Sequence, residues 1–155
     1  MRVTIDATDD PEEIVEFLRQ VQEEHRQRRP DRHRPFDRAA AIQDVRSSLS
    51  SNGASLFVAR MRGKCVGYVI VRDVNWPDSA SWYGSKSLMV DQIAVSNAHR
   101  RRGIGTRLME LVRAEAAGRG ADRMELLVAS DNEGARRFYE AQGFARFHDV
   151  MESSL

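Results

Sequence analysis

The stretch that most constrains the fold of this chain runs from Leu88 to Thr106 and reads LMVDQIAVSNAHRRRGIGT. Its first half predicts an apolar strand, and the apolar periodicity that starts at Ile104 predicts an amphipathic helix. The basic turn between them contains Gly103 and Gly105, which lack the Cβ atoms that would keep a ligand off the backbone. The free N–H groups and the positive dipole end of a helix start favour an anion. The junction therefore predicts a phosphate or pyrophosphate site.

Two common nucleotide-binding motifs do not fit this turn. A dinucleotide fingerprint needs a third glycine and an acidic residue about 20 positions later, and a Walker loop needs Gly-Lys-Ser or Gly-Lys-Thr. The turn from Arg100 to Gly105 belongs to neither class. Considered without its neighbours, it would be interpreted as a tight turn that carries solvated arginines.

Three segments in and around the turn match the pattern of a known family. Arg100-Arg101-Arg102-Gly103-Ile104-Gly105 matches Q/R-x-x-G-x-G/A, and Asp91-Gln92-Ile93-Ala94-Val95 precedes it as a strand. Downstream, Asn132 to Phe144 matches N-x-x-A-x-x-F/L-Y-x-x-x-G-F. In this order and spacing, the segments resemble the GCN5-related N-acetyltransferase (GNAT) family. The resemblance extends over nearly the whole chain from about Val3.

The resemblance implies a coenzyme A site and two catalytic residues. The strand would form hydrogen bonds with the pantetheine arm of the cosubstrate acetyl-CoA. The turn would bind the pyrophosphate of acetyl-CoA. The implied cofactor-binding residues are Ile93, Ala94, Val95, Arg100, Arg101, Arg102, Gly103, Ile104, Gly105, Thr106 and Asn132. Asp91 would draw the proton from the acceptor amine, and Tyr139 would protonate the departing thiolate. The alternatives are a strand-edge aspartate and a core tyrosine.

The implied reaction sets chemical requirements for the site. An amine with a pKa of about 10.4 is neutral in only about one molecule per thousand at a pH of about 7.4, so a base or a water chain is useful. A backbone N–H can stabilise the tetrahedral intermediate, and an acid can help the thiolate leave. Asn132 and Tyr139 lie two helical turns apart, only about 20° out of phase, so both can face one ligand.

The remaining periodic segments predict further helices and strands. Helices are predicted at 11–21, 39–49, 104–118 and 133–142, and strands at 3–5, 55–61, 65–72, 124–129 and 144–151, the last as one strand or a pair. This order suits a mixed sheet with helices on both faces. The resemblance implies an α/β (mixed α+β) GNAT-like fold with a central sheet of about six to seven strands, splayed between strands four and five. It also implies a β-bulge from Gln92 to Val95.

Two loops have unusual compositions. Residues 25–38 carry six arginines and two prolines, which exclude a continuous helix, and the resemblance places this loop near the acceptor. It lacks the interleaved aromatics that stack on bases, and the net charge of +1 argues against a nucleic-acid partner. Residues 73–87 contain Trp76, Trp82 and Tyr83. A wall of the acceptor pocket, a dimer contact and residues folded back on the core are all compatible with them.

Length and composition predict a single domain over residues 1–155, with 41% hydrophobic and 30% charged residues. The sequence lacks an apolar signal segment and the roughly 18 consecutive apolar residues of a membrane span. We therefore expect a cytoplasmic protein without a membrane partner. Cys65 is the only cysteine and the histidines lack spaced partners, so we expect no disulfide and no metal site.

The function that these observations predict is an N-acetyltransferase. It would transfer the acetyl group of acetyl-CoA to a primary amine by direct transfer in a ternary complex. The alternative is a catalytically silent acyl-CoA-binding or regulatory module with the same fold. Tyr139, Asn132 and the complete turn favour the enzyme, because a silent module need keep none of them. The acceptor stays open among small molecules, peptides and proteins, and both a monomer and a homodimer are compatible with the sequence.

Overall fold

The computed structural model describes residues 2–51 and 53–155. Its strands are β1 (Val3–Thr8), β2 (Ser55–Met61), β3 (Lys64–Trp76), β4 (Ser85–Val95) and β5 (Arg123–Leu126). Its α-helices are α1 (Val15–Arg28), α2 (Arg38–Leu49), α3 (Ile104–Gly118) and α4 (Glu133–Ala141), and short 3-10 turns span Pro11–Ile14 and Asn97–His99. Across the described residues, no helix is long and apolar enough to span a membrane.

The five strands form one mixed sheet in chain order, β1-β2-β3-β4-β5. Strands β1 to β4 pair antiparallel, and β5 joins β4 in parallel. The expectation of six to seven strands is wrong, and the strand or strand pair expected at 144–151 is irregular chain. Only Phe144, at the start of this segment, packs against the core, while Phe147, Val150 and Met151 are 63%, 92% and 92% exposed, so no buried face continues along it for a strand.

Two helix starts are capped by the side chain of the residue that precedes them. Asp10 accepts a hydrogen bond from the backbone N–H of Glu12 (3.0 Å), at the turn that leads into α1. Asn132 accepts from the N–H of Ala135 (3.2 Å) and caps α4. Each side chain satisfies a backbone donor that has no partner within its helix, so these boundaries are determined locally.

Helices cover both faces of the sheet, as expected. We call the face under α1 and α2 the front face, and the face under α3 the back face. The front cluster contains Ile14, Phe17, Leu18, Val45, Leu56, Val58, Tyr68 and Ile70. The back cluster includes Val69, Val71, Leu88, Val90, Ile104, Leu108, Met109 and Val112. Alternate residues of β3 and β4 thus point to opposite helical layers.

A β-bulge interrupts β4 at Asp91. Ile70 of β3 pairs with Gln92 and Val71 pairs with Val90, so Asp91 is the extra residue. The expected bulge at Gln92 to Val95 is therefore wrong in position, since those four residues pair regularly with β3. Because of the extra residue, Asp91 and Gln92 both reach front-face partners on β3 instead of alternating.

Candidate active site

The strands β4 and β5 stop pairing halfway along β4. Their ladder runs from Ser87 opposite Arg123 to Val90 opposite Leu126, where β5 ends, while β4 continues to Val95. Ile93, Ala94 and Val95, the predicted pantetheine-binding residues, lie in this continuation and are half-buried. A strand edge that is free of its neighbour offers backbone groups to an extended ligand, as in strand addition.

The continuation of β4 leads into the predicted phosphate turn. Gly103 precedes α3 in the left-handed conformation (φ 77°), and Arg101 has φ 60°. Arg100 donates to the carbonyl of Val95 (3.3 Å) and pairs with Glu24 of α1 (3.1 Å). Arg101 and Arg102 are exposed and make no ion pair within the described residues. The two exposed arginines and the start of α3 can therefore meet an anion.

Three of the predicted cofactor residues face α4 or the core instead of the open turn. Ile104 is buried in the back cluster. A Cβ on Gly105 would lie 3.1 Å and 3.2 Å from two atoms of the Phe138 ring. Thr106 accepts a hydrogen bond from Gln142 at the end of α4 (3.3 Å). The second glycine of the motif thus provides room for a helix contact.

Tyr139 lies on α4, whereas Asn132 immediately precedes the helix as its N-cap. The Asn132 side chain is used as the helix cap. Tyr139 packs edge-on against Phe138 (5.4 Å) and Phe144 (5.9 Å), and burial raises the pKa of its hydroxyl. In the described part of the chain this hydroxyl has no hydrogen-bond partner, yet it is not sealed from solvent. It is therefore protonated near neutral pH and available to a ligand.

Two polar pairs line the front face beside the bulge. Arg72 Nε donates to both carboxylate oxygens of Asp91, at 3.0 Å and 2.9 Å. The fully buried Tyr68 donates its hydroxyl hydrogen to Gln92 Oε1 (2.8 Å), and burial raises the pKa of Tyr68. The opposite amide orientation would leave a buried hydroxyl donor without an acceptor, so Gln92 directs its NH₂ group away from Tyr68.

Sequence reasoning missed Arg72, Tyr68 and the use of Gln92. The sequence of β3 contains a pattern that could have indicated them, because Tyr68 and Arg72 occupy alternate positions of an otherwise apolar run. Alternation alone assigns both residues to one face, but only the β3–β4 register shows which β4 residues lie opposite.

The family model described as Acetyltransferase (GNAT) family matches residues 13–144, which include the β4 edge, the turn and α4. The chain belongs to the GNAT family. As a GNAT protein, it is 31% identical over 111 residues to N-acetyltransferase family 8 member 3 of Mus musculus. That alignment covers 72% of this chain and 47% of the mouse protein, so the chain spans about half of that relative's length.

Solved structures with low sequence identity share the GNAT fold of this chain. A tetramutant of the BH1408 protein from Bacillus halodurans superposes with a TM-score of 0.90 and 24% identity, over 100% of both chains. The aminoglycoside N-acetyltransferase AAC(6')-Iy in complex with CoA superposes with a TM-score of 0.69 and 18% identity, over 99% of this chain and 95% of that one. Identities below 25% support the fold alone.

Proposed function

We propose that this GNAT protein transfers the acetyl group of acetyl-CoA to a primary amine, directly and in a ternary complex. The observation that carries the proposal is the departure of β4 from β5 after Val90, on a strand that leads to the Gly103 turn. One continuous path thus offers backbone groups to an extended arm and then N–H groups and arginines to a pyrophosphate. Family membership supports the same chemistry.

In the proposed reaction, the amine nitrogen attacks the thioester carbon and the C–S bond breaks. The backbone at the Asp91 bulge is exposed, while the Asp91 side chain is only 26% exposed, so the peptide groups there are accessible to a developing oxyanion. The Tyr139 hydroxyl donates to the departing thiolate. The proton of the amine goes to water or to Asp91.

The base role proposed for Asp91 competes with its contact to Arg72. Since Arg72 Nε donates to both oxygens, a proton taken by Asp91 has to displace part of that contact. Replacing Asp91 by Asn keeps the shape and removes the charge. We expect the acid limb of the pH–rate profile to change. An unchanged rate and profile would assign proton removal to water.

The alternative function is a silent acyl-CoA-binding module, and one experiment separates the two. Acetyl-CoA binding is measured by calorimetry, and free thiol release is measured over a panel of amines. Arg102→Gln should weaken acetyl-CoA binding about tenfold, because it removes a charge-assisted contact to phosphate. Arg107→Gln, a change at an exposed position of α3 five residues later, should have little effect.

Three outcomes of this experiment distinguish the enzyme, the silent module and a wrong assignment of the turn. Acetyl-CoA binding with amine-dependent thiol release supports the enzyme. Binding without transfer to any amine favours the silent module. Equal affinities for Arg102→Gln and Arg107→Gln would refute the assignment of the turn to the pyrophosphate.

A further inference from the structure

A second polar group lies on the front face, outside the residues used above. Trp76 at the end of β3 donates its indole N–H to Glu125 Oε2 of β5 (2.9 Å). Strand β4 lies between these two strands, so the hydrogen bond crosses over it. In the register, Trp76 pairs with Ser85, and Glu125 pairs with Met89. The crossing point is therefore the level of Ser87.

Ser87 is the unusual residue under this bridge. It is 2% exposed, and within residues 2–51 and 53–155 its Oγ is the only buried side-chain polar atom without a hydrogen-bond partner. Its register partners are Val74 and Arg123, so it points to the front face like Trp76 and Glu125. A buried hydroxyl without a protein partner is costly, so a polar group placed beside it by a bound molecule would remove that cost.

The Trp76–Glu125 pair carries the negative charge of Glu125, while Arg123, the register partner of Ser87 on the same face, makes no ion pair with it within the described residues. Asp91, another acid on the front face, is paired with Arg72. In the described part of the chain, Glu125 has no lysine, arginine or histidine within ion-pair distance, and only its Oε2 atom accepts a hydrogen bond. The neighbouring indole is 49% exposed. A free carboxylate oxygen beside an accessible indole suits an organic cation, which gains both an ion pair and a cation–π contact.

The distance from the reaction site distinguishes an anchor from a base. Glu125 lies two residues before Leu127, the first residue past the β4–β5 ladder. At about 3.3 Å per residue, this is roughly 7 Å along the strand from the point where the gap opens. Glu125 is therefore placed to hold a charge that is remote from the reacting nitrogen.

We propose that Glu125, together with Trp76, binds a second cationic group of the acceptor, so that the acceptor is a primary amine that also carries a remote ammonium or guanidinium group. The inference rests on the proposed acetyl transfer and adds the acceptor's chemical class to it. Its assigned residues are specificity determinants, and they take no part in bond breaking. Ser87 Oγ supplies a further acceptor at the base of the same site.

A matched pair of acceptors tests this inference. 1,4-Diaminobutane and 4-amino-1-butanol have the same length and differ in one remote charge. For the unmodified protein, kcat/KM should be at least about tenfold higher for the diamine. Glu125→Gln keeps an oxygen for the Trp76 N–H and removes the charge, so the preference should fall to near one. Glu110→Gln, an exposed acid on α3 behind the back face, is the control and should keep the preference.

A binding measurement separates failure of this inference from failure of the proposed function. Calorimetry of 1,4-diaminobutane in the presence of CoA requires no turnover, and the affinity should drop about tenfold in Glu125→Gln but not in Glu110→Gln. Diamine binding that depends on Glu125 without acetyl transfer would support the cation site and contradict the enzyme. Acetyl transfer with equal kcat/KM for the two amines, or a preference that survives Glu125→Gln, would overturn the cation site.

Discussion

Tyr139 is the residue whose chemistry the structure makes easiest to test. Its ring is held between Phe138 and Phe144, while its hydroxyl is free of protein partners within the described residues. Burial raises the pKa of this hydroxyl above its ordinary value of 10.0, so it keeps its proton through the neutral range. A hydrogen bond from this group to the developing thiolate would stabilise the transition state before the proton moves.

We expect Tyr139→Phe to lower turnover at least about tenfold, at the modest end of what a general acid contributes. The ring and its two aromatic contacts remain, so the unfolding midpoint and acetyl-CoA affinity should barely change. The measurement is the rate of thiol release under conditions where chemistry limits turnover. A variant that keeps the original rate there would remove Tyr139 from the mechanism.

The contact between α3 and α4 depends on the absence of a side chain at Gly105. Phe138 occupies the space that a Cβ would need and also packs against the back cluster. Helix α4 therefore approaches the start of α3 closely enough to bring Tyr139 and the phosphate turn into one region. Helix packing therefore explains the glycine at position 105, in addition to the close approach of a ligand.

We expect Gly105→Ala to lower the free energy of unfolding by up to about 2 kcal/mol, because overpacking of about 1–3 kcal/mol is partly offset by the better helix preference of alanine. Gly118→Ala is the matched control, because a Cβ at that position in α3 would meet nothing within 4 Å. The control should be neutral or stabilising by up to about 1 kcal/mol, since alanine favours helix. Urea denaturation measures both variants. Equal stabilities would show that the Phe138 ring moves aside freely.

The free energy of unfolding of the whole molecule should depend on pH through His25, near the end of α1. Burial lowers its pKa below the ordinary value of 6.5, and the charges of Arg28 and His33 lower it further, with the His33 ring 5.0 Å away. At a pH near and below about 6.5, the unfolded chain therefore binds more protons at this position than the folded chain does. The stabilisation is complete above a pH of about 6.5 and is lost as the pH falls towards and through the folded pKa.

We expect His25→Gln to flatten the decrease in unfolding free energy as the pH falls below about 6.5. His148→Gln, which changes an exposed histidine, is the control and should keep the slope of the unmodified protein. Chemical denaturation across this pH range measures all three proteins. Identical slopes for His25→Gln and the unmodified protein would contradict a lowered pKa of the half-buried His25.

Much of the fold and of the candidate site followed from local patterns in the sequence. The starts of the helices near residues 11 and 133, the helical position of Tyr139 and the turn at Gly103 depend on residues a few positions apart. Such interactions form within one segment, so a sequence pattern is sufficient to predict them. The strand–turn–helix junction was predictable for the same reason.

Features that depend on contacts between distant segments required the folded chain. The bulge at Asp91 instead of Gln92–Val95, and the end of β5 at Leu126, are set by cross-strand register, because a shift of one residue moves side chains to the other face. The Arg72–Asp91 pair and the Trp76–Glu125 bridge depend on that register. The segment after α4 is irregular because of contacts between distant segments too, since a strand forms only where neighbouring elements bury one of its faces.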